Sequence, residues 1–331
     1  MSPAVAIPLF LASLAVTLVA ARLFARRLDR LGVRFGFPEA LIGLLTALAA
    51  DGPEISSALF ALLKGEHDVG VGVLVGSNGF NLAAMIGLSA LITGRVRLAR
   101  ETLLFEGAVG LIMTLLAAAM LLGWLSPASA TVLGALLVAP YLAVVIAGPN
   151  FRGRRLSRLS RALHEHAANE QAANERPPDP STSPTHHLLA LIVLDVIVIV
   201  AGSAGMVQAA LSLAGHWHIS GAVLGVLILG PLTSIPNALT AIRLGVAGRG
   251  AALVGETFNS NTINLGFGVI VPSLFVTLTA VTTVGKLQLA WLVVATLATL
   301  AALARPGGMR RVDAVVLVGL YFAFVAGTLV G

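Results

Sequence analysis

The stretch PEALIGLLTALAADGPEISSALFALLKGEHDVGVGVLVGSNGFNLAAMIGLSAL, Pro38–Leu91, lies without a gap on a second stretch within Ser220–Leu274 at a constant offset of 183 residues. Matched pairs include Leu41/Leu224, Leu44/Leu227, Pro53/Pro236, Ala58/Ala241, Gly65/Gly248, Gly72/Gly255, Ser77/Ser260, Asn78/Asn261, Asn81/Asn264, Leu82/Leu265 and Leu91/Leu274. Packing alone would repeat Leu, Val and Gly. Here polar residues repeat inside apolar helices, which costs free energy at membrane depth and points to a functional site.

Working outward from that repeat, 57% hydrophobic and only 11% charged residues place the chain among integral membrane proteins. Spanning a hydrocarbon core of roughly 30 Å takes about 20 residues of helix. Ten apolar segments are expected to span it, at about 4–21, 38–63, 69–93, 102–123, 128–148, 188–214, 220–242, 250–277, 287–304 and 312–330. The first is apolar like a signal peptide. It lacks basic residues before it and has an arginine cluster after it, so it reads as a retained helix.

With the N-terminus outside, every arginine falls in a cytoplasmic segment: the groups from Arg22 to Arg34, Arg95 to Arg100, Arg152 to Arg176, Arg243 with Arg249, and Arg305 to Arg311. Only Lys64 and Lys286 remain for outer loops, so the positive-inside rule supports an N-out, C-out arrangement. The net charge of +6 then reports topology, with anionic lipid headgroups as sufficient partners and no nucleic acid required. Cysteine is absent, which removes disulfides, thiolate metal sites and thiol nucleophiles.

The polar stretch 149–187, rich in Arg, Ala, Asn and Pro, reads as a cytoplasmic linker, helical from Arg154 to Ala173 and extended through the prolines. It separates a first five-helix repeat, 1–148, from a second, 188–331. Because five is odd, the halves are expected to be inverted. The fold class is therefore all-α integral membrane, in an architecture that secondary transporters use for alternating access.

The second segment carries Ala49-Ala50-Asp51-Gly52-Pro53-Glu54 and the seventh Leu232-Thr233-Ser234-Ile235-Pro236-Asn237. Each proline lacks an N–H, so both helices are expected to break there and free carbonyls near Ala49 and Leu232. Asp51 and Glu54, three apart, share a helix face. The third and eighth segments add Gly76-Ser77-Asn78-Gly79-Phe80-Asn81 and Asn259-Ser260-Asn261-Thr262-Ile263-Asn264. Carboxylate, hydroxyl, amide and carbonyl oxygens on four segments suit Na⁺ or Ca²⁺ better than a soft transition metal. Two carboxylates one turn apart also repel, and a shared proton relieves that repulsion, which opens a route to proton coupling.

On these motifs the chain resembles the sodium/calcium exchanger superfamily, whose two alpha repeats carry versions of Gly-Thr-Ser-Leu-Pro-Glu followed by Gly-Ser-Asn-Ile-Phe-Asn or Asp. The resemblance covers nearly everything outside the central loop. It implies an antiporter with its cation sites at the centre of the second, third, seventh and eighth segments. By residue it implies an acidic ligand at Glu54, hydroxyl ligands at Ser77, Thr233, Ser234 and Ser260, and an amide ligand at Asn81. Asn237 stands where the family usually has its second glutamate, Asn264 where many members have aspartate, Asp51 where serine is usual and Ala50 where threonine is usual. The cation-binding set is thus Asp51, Glu54, Ser77, Asn81, Thr233, Ser234, Asn237, Ser260 and Asn264, with the charge on Asp51 and Glu54.

Elsewhere, Glu256 falls one turn before Ser260 and is a candidate vestibule or relay residue, while Asp195 reads equally as a relay or a buried structural partner. Glu39, Glu101, Glu106 and Asp313 read as interfacial. His216-Trp217-His218 and His67-Asp68 read as outer-loop residues, His164, His166, His186 and His187 as solvated groups in or beside the linker, and Gly70 to Gly76 as close helix packing. No nucleophile and base constellation or nucleotide motif argues for an enzyme, and no resident cofactor is expected. The expected function is a secondary cation antiporter of a bacterial inner membrane, exchanging Ca²⁺ for H⁺ or Na⁺. The alternatives are transport of another cation on the same scaffold and a non-transporting scaffold or sensor with a vestigial site.

Overall fold

A computed structural model describes residues 1–37, 39–147, 184–278 and 281–330. Most of the linker, including the expected 154–173 helix, His164 and His166, lies outside the described residues. The apolar segments are helical. By length and composition, seven helices among the described residues can cross a membrane: Pro3–Phe35, His67–Thr93, Thr102–Leu121, Thr185–Trp217, Gly221–Val246, Thr283–Leu303 and Arg311–Leu329. The second segment falls short because it is divided at Asp51 into Glu39–Ala50 and Gly52–Leu63, of 12 residues each.

The first and sixth segments are longer than their apolar cores suggested, with 33 residues each, Pro3–Phe35 and Thr185–Trp217. At 1.5 Å per residue each is about 50 Å long. The arginines after residue 21 thus continue the first helix, and the sixth helix begins at Thr185, inside the expected linker. The two helices pack together antiparallel: Arg27 meets Asp195, Thr17 meets Gly202, Ser13 meets Gly205, and Met1 meets Ser212. Only 28% of the most apolar window of the first helix is buried within the protein, against 89% for the third segment, so the long pair lies at the periphery. Asp195, expected as relay or structural partner, forms an ion pair with Arg27.

The third and seventh segments run side by side in the same direction, Gly221 beside Asp68 and Val69, Gly225 beside Gly72, and Gly230 beside Gly76. Lipid offers no hydrophobic drive for helices to associate, so small residues that allow backbone contact hold them. A Cβ on Gly76 would lie 2.3 Å from the Val226 carbonyl oxygen, and one on Gly230 2.6 Å from that of Val73. The third segment continues from His67–Phe80 into a π-helical stretch, Asn81–Leu88, and the eighth from Gly250–Leu265 into another, Gly266–Ile270. A π turn holds an extra residue, which widens the backbone beside Asn81 and just after Asn264.

Only one of the two expected proline breaks is present. The seventh segment has a π-helical stretch at Leu224–Leu229 and then stays helical through Gly230–Val246, with Pro236 inside. Hydroxyls occupy carbonyls around the prolines: Thr233 donates to the oxygens of Leu229 and Gly230, both at 3.0 Å, and Thr240 to that of Pro236 at 3.2 Å. The residue preceding the proline differs as well, Gly52 in the first half and Ile235 in the second. At one end of the bundle, Arg95–Val96 pairs antiparallel with Met309–Arg310, bringing two arginine-bearing loops together.

Candidate functional site

The divided second segment sets the site. Asp51 is the N-cap of Gly52–Leu63, with φ −80° and ψ 0°, and Glu54 lies in the first turn. An N-cap aspartate usually accepts from the second or third amide of its helix. Here the second helical position is Pro53, which has no N–H, and the Asp51 side chain makes no cap bond. It reaches across to the other half instead: Asp51 Oδ1 accepts from Asn237 Nδ2 at 2.8 Å and from Ser260 Oγ at 2.7 Å. Glu54 Oε1 accepts from Ser234 Oγ at 2.9 Å. Both carboxylates are almost wholly excluded from solvent, at 1% and 0% exposure.

Beneath them the third and eighth segments cross through their asparagines. Asn78 Nδ2 donates to the Asn261 carbonyl at 3.1 Å, and Asn261 Nδ2 returns the bond to the Asn78 carbonyl at 3.2 Å. Asn81 Nδ2 donates to Ser260 Oγ at 3.2 Å and Asn261 Oδ1 at 3.1 Å; Asn264 Nδ2 donates to Ser77 Oγ at 3.4 Å and Asn78 Oδ1 at 3.1 Å. One hydrogen-bonded chain therefore runs from Asn237 through Asp51, Ser260, Asn81, Asn261, Asn78 and Asn264 to Ser77.

Four buried oxygens of this assembly have no hydrogen-bond donor among the described residues: Asp51 Oδ2, Glu54 Oε2, Asn81 Oδ1 and Asn264 Oδ1. Leaving such groups bare costs about 1–3 kcal/mol each, more for a charge. Oxygen donors from carboxylates and amides are the ligand chemistry of hard cations. Among the described residues no group of three or more His, Asp or Glu side chains is gathered, so the donor set is two carboxylates diluted by neutral oxygens.

The structure thus brings eight of the expected residues, Asp51, Glu54, Ser77, Asn81, Ser234, Asn237, Ser260 and Asn264, to hydrogen bonds between the halves. Thr233 is buried beside them, but its hydroxyl proton serves its own helix. Glu256 is partly buried, one turn before Ser260. The sequence reading left Asn78 and Asn261 out of the site, although both were matched in the repeat. Their reciprocal bonds aim the Asn81 and Asn264 amides, a role visible only once the segments cross.

The model of the sodium/calcium exchanger protein family matches residues 5–147 and 187–330. Over 294 residues the chain is 28% identical to the protein named "Putative antiporter CaxA" of Alkalimonas amylolytica, covering 86% of this chain and 85% of that one. It is 37% identical over 76 residues, 23% of each chain, to the inner membrane protein YrbG of Escherichia coli K12. In fold it is similar to the sodium-calcium exchanger NCX_Mj, with TM-score 0.59, 20% identity and 97% of both chains covered. It is likewise similar to native YfkE, with TM-score 0.64, 18% identity, and 97% and 92% covered. A match over both halves, on the segments that carry the polar repeat, makes the chain an integral membrane protein of the sodium/calcium exchanger family.

Proposed function

We propose that the protein is a secondary active antiporter of a bacterial inner membrane that exchanges Ca²⁺ for H⁺ or Na⁺ by alternating access. Its cation site consists of Asp51, Glu54, Ser77, Asn81, Thr233, Ser234, Asn237, Ser260 and Asn264. The observation that carries this reading is the set of four buried oxygens without donors, Asp51 Oδ2, Glu54 Oε2, Asn81 Oδ1 and Asn264 Oδ1. Two come from each kind of chemistry, carboxylate and amide, and both halves contribute. A site shared between halves can change its access when one half rocks against the other.

The same reading has ten crossings in two inverted five-segment halves, with both termini outside. Antiparallel packing of the first and sixth helices and parallel packing of the third and seventh support it. Those directions are the ones an inversion produces. The pairing of Arg95–Val96 with Met309–Arg310 supports placing those arginine loops on one side.

The test is Ca²⁺ uptake into proteoliposomes under an outward Na⁺ gradient and, separately, an outward proton gradient, with Glu54→Gln alongside the unaltered protein. Uptake driven by one gradient and abolished by the substitution is expected. No uptake under either gradient, or uptake indifferent to Glu54→Gln, defeats the reading.

A further inference from the structure

Within the polar network of Asp51, Glu54, Ser77, Asn78, Asn81 and their repeat mates, the hydrogen bonds between the halves obey the 183-residue offset with one exception. The Asn78–Asn261 bonds are reciprocal, the two bonds of Asn81 reappear at Asn264, and the Ser234–Glu54 bond has its counterpart in Asn237–Asp51. The exception is Ser260 Oγ to Asp51 Oδ1, 2.7 Å. Its counterpart would join Ser77 to Ser234, but Ser77 donates to the Leu74 carbonyl at 3.1 Å. Asp51 is also where the chemistry reverses. Glu54 and its repeat mate Asn237 occupy equivalent positions, as do Asp51 and Ser234, yet both acceptors lie in the first half and both donors in the second.

The contact between positions 51 and 237, at 2.8 Å, has room for one carboxylate and one donor. Two carboxylates there would repel as like charges in a buried setting. From this we infer, building on the antiport reading, that within the nine-residue site Asp51 stands beside Glu54 as an anionic ligand, while Asn237 and Ser260 serve the site by positioning Asp51. They pin Oδ1 and leave Oδ2 to the ion. The network's carboxylates are then two and fixed. Charge buried without compensation is strongly unfavourable. The occupant is therefore one divalent cation or two monovalent cations, and the exchange moves no net charge across the membrane.

Two measurements on the purified full chain test this. The first is Ca²⁺-induced thermal stabilisation of the unaltered protein, Glu54→Gln, Asp51→Asn, Asn237→Ala and the reciprocal pair Asp51→Asn/Asn237→Asp. Asp51→Asn is expected to weaken Ca²⁺ binding roughly 10- to 100-fold, as for a lost charged contact. The reciprocal pair, which restores one carboxylate facing one donor, recovers most of that loss, whereas a merely structural role gives no such rescue. Asn237→Ala keeps both charges and weakens binding only several-fold.

The second measurement is Ca²⁺ uptake at imposed membrane potentials. The initial rate stays unchanged, whereas one net charge moved across about 100 mV alters the driving ratio roughly 50-fold. Full Ca²⁺ binding by Asp51→Asn, a reciprocal pair no better than the single variant, or potential-driven uptake each overturns the inference. Loss of binding in Glu54→Gln but not in Asp51→Asn sinks this inference alone. Binding that survives in both sinks the antiport reading with it.

Discussion

Asn78→Leu is close to isosteric and removes two side-chain hydrogen bonds, the donation to the Asn261 carbonyl and the acceptance from Asn264 Nδ2. Within membranes such bonds average about 0.6 kcal/mol each, and an amide left buried without its acceptor adds roughly 1–3 kcal/mol. The expected cost is about 2–4 kcal/mol. At about 2 °C per kcal/mol for a large chain, the melting temperature in detergent falls by about 4–8 °C. Because the bonds are reciprocal, Asn261→Leu should cost the same within about 0.5 kcal/mol: it removes the donation to the Asn78 carbonyl and the acceptance from Asn81 Nδ2. Each variant also leaves the amide that presents an unpartnered oxygen, Asn264 Oδ1 or Asn81 Oδ1, held only by its bond to Ser77 or Ser260, so apparent Ca²⁺ affinity in flux assays should fall about tenfold, or about 1.4 kcal/mol. A melting temperature within 1 °C of the unaltered protein, or a cost confined to one of the two, would refute the reciprocal-crossing argument; here the 1 °C corresponds to about 0.5 kcal/mol.

Two further outcomes rest on other contacts. Gly76→Ala puts a Cβ 2.3 Å from the Val226 carbonyl oxygen, so the third and seventh segments must separate beside Ser77. A loss of roughly 1–3 kcal/mol in thermal stability is expected, and an unchanged melting curve would count against close backbone contact. Arg27→Ala leaves Asp195 buried, at 4% exposure, without its cation, and should destabilise by about 3 kcal/mol. Arg27→Met with Asp195→Leu should recover most of that loss, and equal melting of the single and double variants would deny the ion pair its role.

Much of the site was legible because a polar repeat in an apolar chain has few explanations. Asp51, Glu54, Ser77, Asn81, Ser234, Asn237, Ser260 and Asn264 come together in hydrogen bonds, and all stood in motifs duplicated at one offset. The break at Pro236 was misjudged because proline removes only its own N–H. Whether the helix yields depends on its packing, because neighbouring helices can accommodate the carbonyl that a proline frees. The lengths of the first and sixth helices were underestimated because apolar runs measure the hydrocarbon, while the helix continues through Arg22 to Arg34 into the interface.

By itself the sequence determined that the chain is apolar enough for a membrane, that it consists of two related halves, and which polar residues stand at equivalent positions in them. These follow from composition and periodicity, which act locally along the chain. Only the tertiary structure decided which atoms of Asp51, Glu54, Asn81 and Asn264 remain without donors and that Ser260 turns to Asp51 while Ser77 turns to Leu74. Hydrogen-bond saturation is a property of pairs, and these pairs join residues some 180 positions apart in sequence. It was settled when the two halves met.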